Sequence, residues 1–441
     1  MTKQKIAAAC ALLLMSVVSC TRPAGDDRAK QSPASAADSA IKSQGMSLVA
    51  AQPSLISVGD ADAAEPAVVA GRDGTAYVAW VEHRGKEADV WLSHLDTEGR
   101  PLGQPLRVNA KAGEATAWHG DPPTLALAPD NTIYVVWTAR AAEKGHANTL
   151  YLSASRDGGQ TFAAPVKVND DEKPCAHGMH SMVVGADGRV YVAWLDERNV
   201  APLPPAPKTA GHAHKESNRE LYFAASTDGG RTFSPNRRVA TEVCPCCKTS
   251  LAVGADGRVY ASWRQVLPGE FRHIAVASTN DGGQTFSDPV VVSDDKWHIA
   301  GCPVSGAGLA VATDGALHVV WYTAGEAGTP GLYRTESRDG GRTFAPREAL
   351  ARSSGRGTPV LLAGESLAAV WEEKGEGSAS DIATAQLGGG DRRGAPANVE
   401  LLARAGELPV ASRAGGQLFV AYVSEKEGRR SVWFLRTKPT G

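Results

Sequence analysis

The chain has 441 residues, with 46 Lys plus Arg against 48 Asp plus Glu, a net charge of −2. Charge this close to zero excludes the bulk basic footprint of a nucleic-acid binder and argues against a polybasic membrane-surface protein. The 47 Gly and 26 Pro are too many for a helical protein and too aperiodic for collagen, and they point to many short strands joined by tight turns in a chain long enough for a large core.

The first segment reads as an address. Lys3 and Lys5 precede an apolar run, Ile6–Val18, that is too short to span a bilayer as a permanent helix. The run ends in Val17-Val18-Ser19-Cys20, which resembles the bacterial lipobox. That resemblance implies a signal peptide over residues 1–19 and lipidation of Cys20 as the mature N-terminus. Thr21, rather than Asp, follows the Cys, which resembles lipoproteins sent on to the outer membrane. Membrane contact is then expected through the lipid alone. Residues 20–50 read as the lipidated Cys followed by a flexible Ala/Ser/Asp/Lys-rich tether, and residues 51–441 as a single domain.

One pattern fills that domain: a short apolar strand, a Gly/Asp turn, and a strand ending in Trp or Tyr. It recurs at Trp80, Trp137, Trp194, Trp263, Trp321, Trp371 and Tyr422, at intervals of 57, 57, 69, 58, 50 and 51 residues. Such periods, with four strand signals each, predict an all-β propeller of four-stranded antiparallel blades. Seven blades are expected, with six as the alternative. The seventh repeat runs out of chain after Ser431–Arg436, so Ser54–Val58 is expected to supply its outer strand and close the ring.

Four repeats carry a second signature, from Ser155-Arg-Asp157-Gly-Gly-Gln-Thr161-Phe162 to its counterparts around Asp228, Asp281 and Asp339; blade 1 has a degenerate form at Asp96. The Asp accepts N–H bonds across a tight turn, the glycines supply positive φ, and the Thr/Phe pair plugs the turn onto the blade. These segments resemble the Asp-box, or BNR, repeats of the sialidase superfamily over roughly residues 50–438. The motif is structural, and it occurs in sialidases, other glycan-active propellers and binding propellers.

Topology then sorts the loops. The Asp-boxes and Gly-Ala-Asp-Gly turns share one face, and the irregular loops share the other, around the axis. The loops leading into blades 2 to 5 carry Trp118 with His119, Cys175 with His177 and His180, Cys244-Pro-Cys246-Cys247, and Trp297-His298 with Cys302. Thiolates and imidazoles on one face suit Cu(I) or Zn(II), so Cys244, Cys246, Cys247, Cys302, His119, His177, His180 and His298 are candidate metal ligands. The insertion Asn199–Glu220, with its Pro run and His212 and His214, is placed on this face as a lid. An oxidising compartment supports a different use of the same cysteines: Cys302 bonded to Cys244, Cys246 or Cys247, or a vicinal Cys246–Cys247 disulfide.

Sialidase resemblance implies an arginine triad for the sialate carboxylate, a Tyr nucleophile paired with Glu, and an Asp acid/base. The N-terminal Phe/Tyr-Arg-Ile-Pro segment that normally supplies the first Arg is missing from this sequence. Arg264, Arg272, Tyr322, Glu326 and Asp196 are the catalytic candidates, with Arg264 and Arg272 expected to line the pocket beside the Cys loop. Three functions follow from these features. One is an envelope-anchored propeller that binds a soft metal ion or metal-containing ligand. The second is an exo-α-sialidase-type glycoside hydrolase. The third is a protein or glycan interaction scaffold with disulfide-stapled loops and at most one free thiol.

Overall fold

Each repeat folds as the sequence pattern dictates, with Val/Ala-rich strands hydrogen-bonded across tight turns, four of them Asp-Gly between a blade's first two strands. A computed structural model of the chain describes residues 48–118, 120–141, 146–201, 217–299, 301, 303–351, 357–375, 379–387 and 398–439. The signal peptide, Cys20, His119, Cys302, His212 and His214 lie outside the described residues. So does most of the insertion Asn199–Glu220.

Among the described residues there are seven antiparallel units, five of four strands and two, the second and the last, in which two short strands share one edge position. Their innermost strands are Asp62–Ala70, Thr124–Leu127, His177–Val184, Ser250–Val253, Ala307–Val311, Val360–Leu362 and Glu407–Ala414. Each packs against the next, and the last returns to the first, so these seven blades form a closed ring. No helix of the described residues is long and apolar enough to cross a membrane. The last strand, Arg429–Pro439, is longer than expected and pairs with both Ser54–Leu55 and Leu48–Ala50. Ile56 continues that closure by donating its N–H to Val432 O at 2.9 Å.

The repeated Trp is the centre of each packing unit. Trp80, Trp137, Trp194, Trp263 and Trp321 are wholly buried. A buried indole N–H needs an acceptor, and three blades supply it from two residues further along the same strand. Trp194 donates to Asp196 at 2.8 Å, Trp263 to Gln265 at 2.7 Å and Trp80 to Glu82 at 3.4 Å.

In the Asp-boxes the carboxylate organises the turn. Asp157 Oδ1 accepts from Gln160 N at 3.0 Å, Thr161 N at 2.9 Å and Ser155 Oγ at 2.8 Å, and the boxes at Asp228, Asp281 and Asp339 repeat the pattern. The boxes also couple blades. Gly159 of the blade 2 box lies against Leu92 and Tyr77 of blade 1, and Arg156 reaches Gly229 O of the next box at 2.7 Å. Gly283 combines φ +91° with a site where a Cβ would stand 2.1 Å from the Phe223 ring, so no other residue fits.

Hydrogen bonds from the Thr161 hydroxyl and amide bring Asp157 down from 3.8 to about 2, and the other three box carboxyls are lowered in the same way. A depressed carboxyl pKa contributes stability that is present above pH 4 and lost as pH falls through the folded value. Acid unfolding followed by circular dichroism from pH 5 to 2 is therefore expected to show this loss. Replacing all four Asp by Asn lowers stability at pH 7 and flattens the acid limb. Gly283→Ala is expected to cost on the order of 1–3 kcal/mol in urea denaturation.

Candidate functional site

Between blades 3 and 4 the ring has an extra tie, because the outer strand of blade 3, Arg237–Val243, pairs through Val243 with Gln265 of blade 4. Gln265 reinforces the tie by donating to Thr241 O and Glu242 O, each at 2.9 Å. The next residue, Cys244, donates its N–H to Arg264 O at 2.9 Å. The cysteine loop therefore turns into the protein core, and Cys244 and Cys247 are fully buried.

The sulfurs of Cys244, Cys246 and Cys247 lie within 4.8 Å of one another. Cys244 Sγ is 3.5 Å from Cys247 Sγ and 3.9 Å from Cys246 Sγ, and Arg272 Nη1 donates to it at 3.0 Å. Cys246 is disulfide-bonded, whereas Cys175, Cys244 and Cys247 are free thiols. This corrects two expectations: the vicinal Cys246–Cys247 bond is not formed, and a scaffold with at most one free thiol is contradicted by three. A disulfide sulfur is no thiolate, so the group offers a metal two thiols, not three. The Cys247 S–H bond, opposed by burial and then aided by the guanidiniums of Arg272 and Arg264, brings Cys244 down from 9.0 to about 6; burial pushes Cys247 up.

The predicted histidine ligands do not join this group. His298 is exposed, edge-on to Phe271 with ring centres 5.9 Å apart. His180 is buried, with Nδ1 3.1 Å from Asp121 and Nε2 3.1 Å from Val136 O. Burial works to raise Asp121, but His180 and Lys248 outweigh it and hold the carboxyl at about 2; burial lowers His180. These three form a buried polar knot between blades 2, 3 and 4.

His177 belongs to a second group that the sequence reading did not assemble. Its Nε2 lies 2.9 Å from Asp171 Oδ1 and 3.7 Å from Cys175 Sγ, and Cys175 Sγ is 3.7 Å from Asp171 Oδ2. Its Nδ1 is 2.7 Å from the Asn148 carbonyl, so that nitrogen carries a proton. Burial, then the charges of Asp196, Asp171 and Glu197, push the Cys175 thiol from 9.0 to about 12. Asp171 and Cys175 were missed as ligands because an Asp in a loop has no distinguishing pattern. The available signal was local: Asp171, Cys175 and His177 occur within seven residues of one loop.

Cys175 and Cys246 both line a cleft of about 1210 Å³ over blades 2 to 4. Four cations, Arg140, Lys173, Arg198 and Arg219, line it against two carboxylates, Asp121 and Glu197. Trp118, 39% exposed, stands at its edge. Arg198 is committed to Asp196 at 2.8 Å and Asp170 at 2.6 Å, whereas Arg140 is exposed and its guanidinium donates to the Lys86 carbonyl.

The expected catalytic residues are scattered. Arg264 does not line the cleft; it is fully buried, donates to Ser305 O at 2.8 Å and Tyr322 O at 3.1 Å, and stacks on Trp297. Arg272 is buried on Cys244. Asp196 is buried and held by Trp194 and Arg198, which leaves it no role as a free acid. Tyr322 packs edge-on to Trp297, and burial raises its phenol, opposite to an activated nucleophile. Glu326 is exposed in the following loop. Arg264→Ala is expected to cost at least about 2–3 kcal/mol in urea denaturation, from lost charged hydrogen bonds and carbonyls left buried.

Ring, Asp-boxes and face define a sialidase-like Asp-box β-propeller. Residues 74–321, more than half of the chain, match the BNR repeat-like domain, and the chain belongs to that family. No curated protein matches it in sequence. Among solved structures it is similar to a protein of unknown function from Dyadobacter fermentans, with 15% identity over 89% of this chain and 99% of that one and a TM-score of 0.51. It is also similar to a PL25 ulvan lyase solved with -[GlcA(1-4)Rha3S]- bound, at 12% identity over 87% and 94% of the two chains and a TM-score of 0.52. The Hadza microbial sialidase Hz136 shares 14% identity over 82% of this chain and 76% of its own, with a TM-score of 0.47. For the first two, at these identities, the likeness is one of fold.

Proposed function

We propose that this protein is a ligand-binding Asp-box propeller of the bacterial cell envelope, anchored through Cys20, that holds a zinc or copper ion at Asp171, Cys175 and His177. One observation carries the reading. With Nδ1 protonated toward Asn148 O, His177 presents Nε2 to a carboxylate oxygen at 2.9 Å. A lone pair facing a carboxylate is repulsive; Asn169 Nδ2 and Arg198 Nη2, 2.9 and 3.3 Å from the same carboxylate oxygen, offset part of this, and a metal ion between the two groups would relieve the rest. A thiol 3.7 Å from both groups supports the metal. Tetrahedral zinc with bonds of about 2.0 Å to N or O and 2.3 Å to S places its ligand atoms about 3.3–3.6 Å apart. Thus the group needs only a slight opening between Asp171 and His177. The Nδ1–carbonyl bond is the support that metal-binding histidines use to fix ring and tautomer.

Metal per chain, measured by mass spectrometry after purification from the native compartment, is expected near one. Cys175→Ser and His177→Ala are expected to weaken zinc at least about tenfold in competition titrations, while Cys247→Ser leaves it unchanged. A metal-free wild type that also fails to take up zinc or Cu(I) would sink the reading. Cys20→Ser is expected to move the protein from membrane to soluble fraction.

A second reading concerns the cleft: an anionic glycan, favoured by its two-charge excess of cations and the exposed Trp118. Neighbouring folds include a lyase bound to a uronate- and sulfate-bearing saccharide. Arg140→Ala with Lys173→Ala is expected to weaken a sulfated uronate polysaccharide at least about tenfold at low salt, and high salt to mimic the change. The scattered positions of Arg264, Arg272, Tyr322, Glu326 and Asp196 support binding over sialidase-type turnover.

A further inference from the structure

We infer that Cys244, Cys246 and Cys247 form a thiol–disulfide exchange relay, in which the buried Cys244–Cys247 dithiol reduces the disulfide that Cys246 makes at the floor of the cleft. The inference is independent of the metal site. It rests on where the three sulfurs stand. Two are free thiols 3.5 Å apart, spaced as Cys-x-x-Cys, and the third is a disulfide sulfur 3.9 Å from the first. A thiolate and a disulfide sulfur in van der Waals contact are the reactants of exchange already brought together.

The surroundings distinguish the three sulfurs. Cys244 accepts a hydrogen bond from Arg272 Nη1 at 3.0 Å, while Arg272 Nη2 donates to Glu270 at 3.3 Å, so the guanidinium is shared between the sulfur and a carboxylate. Arg264 adds a second buried guanidinium. Both favour the thiolate, the attacking form. Arg264 acts on Cys247 as well, but burial and the neighbouring Cys244 outweigh it, so Cys247 keeps its proton until Cys244 has reacted. Only Cys246, with Pro245, lines the cleft. The relay therefore connects a sulfur at the cleft wall to a dithiol buried behind it.

The exchange balances within the protein. The Cys244 thiolate attacks Cys246 Sγ, forming a Cys244–Cys246 bond, and the sulfur at the far end of the original disulfide leaves as thiolate. Cys247 loses a proton as the leaving thiolate gains one, and Cys247 attacks Cys244 Sγ. A Cys244–Cys247 disulfide forms and the Cys246 thiolate is released. The dithiol loses two electrons and the original disulfide gains them, so no external oxidant is needed. The outcome is a free Cys246 thiol in the cleft above a locked core.

The test is disulfide mapping of the full chain, acid-quenched and alkylated, after equilibration in glutathione buffers of graded potential. The relay predicts that the Cys244–Cys247 bond appears as the Cys246 bond opens, at potentials where the total of one disulfide among these cysteines is unchanged. In Cys247→Ser the Cys244–Cys246 bond accumulates several-fold above wild type, and in Cys244→Ser only the original bond is found. Arg272→Met slows exchange about tenfold while the original disulfide remains. If Cys244 and Cys247 stay as thiols in the folded wild type at every potential at which the Cys246 bond opens, the relay is wrong. That wild-type map decides the matter even if a Cys variant fails to fold.

Discussion

Everything in this propeller depends on a circle being closed. Six blades complete themselves from their own repeat, and the seventh borrows its outer strands from Leu48–Ala50 and Ser54–Leu55. A sheet left open at that point would present a row of unpaired amides. With the circle closed, every innermost strand has two neighbours and every loop is assigned to one of two faces. The Asp-boxes add a second circumferential set of contacts, since each leans on the blade before it. Their face is consequently rigid and repetitive, and variation is left to the other.

On that other face the chemistry gathers on one side of the ring, over blades 2 to 4. The reason lies in how blade 3 is tied to its neighbours. Its first strand carries His177 and His180 inward, and Asn148 of blade 2 fixes the first of these. Its last strand crosses to blade 4 at Val243 and delivers Cys244 into the core. The cleft lies between these two points. Its cations are of two kinds. Arg198 is spent on neutralising buried carboxylates, and Arg140 and Lys173 stand toward solvent. Structural ion pairs therefore occupy one part of the wall's cations and leave the other part in contact with solvent.

The fold was almost fully legible in the sequence, because its determinants are local and repeated. The Trp spacing, the Asp-Gly turns and the four Asp-boxes each describe a turn or strand pair that forms from consecutive residues. Closure by Ser54–Val58 could also be anticipated, since a missing strand and an unassigned one were the only pieces left. The site was legible only by type. Cys and His on one face were identified, yet their grouping was not: His177 joins Asp171 and Cys175, His180 joins Asp121, and Cys246 has its sulfur tied in a disulfide. Arg264 shows why. Its position at a strand end suggested a cleft, but its direction is set by carbonyls of Ser305 and Tyr322, more than forty residues away in sequence. Asp196 misled for the opposite reason, because its partner Trp194 is so near that the pair reads as ordinary strand sequence.

The closing strands have a mechanical meaning as well. They are the part of the body directly continuous with the segment that precedes Leu48. Any tension transmitted along that segment enters the ring at Leu48–Ala50, opposite Thr437–Pro439, and next at Ser54–Leu55, opposite Trp433 and Phe434. These few hydrogen bonds are the first to bear load. The same strands that make the circle are therefore its release point. A pull from the N-terminal side would open blade 7 before it disturbed the cysteines and histidines of blades 3 and 4.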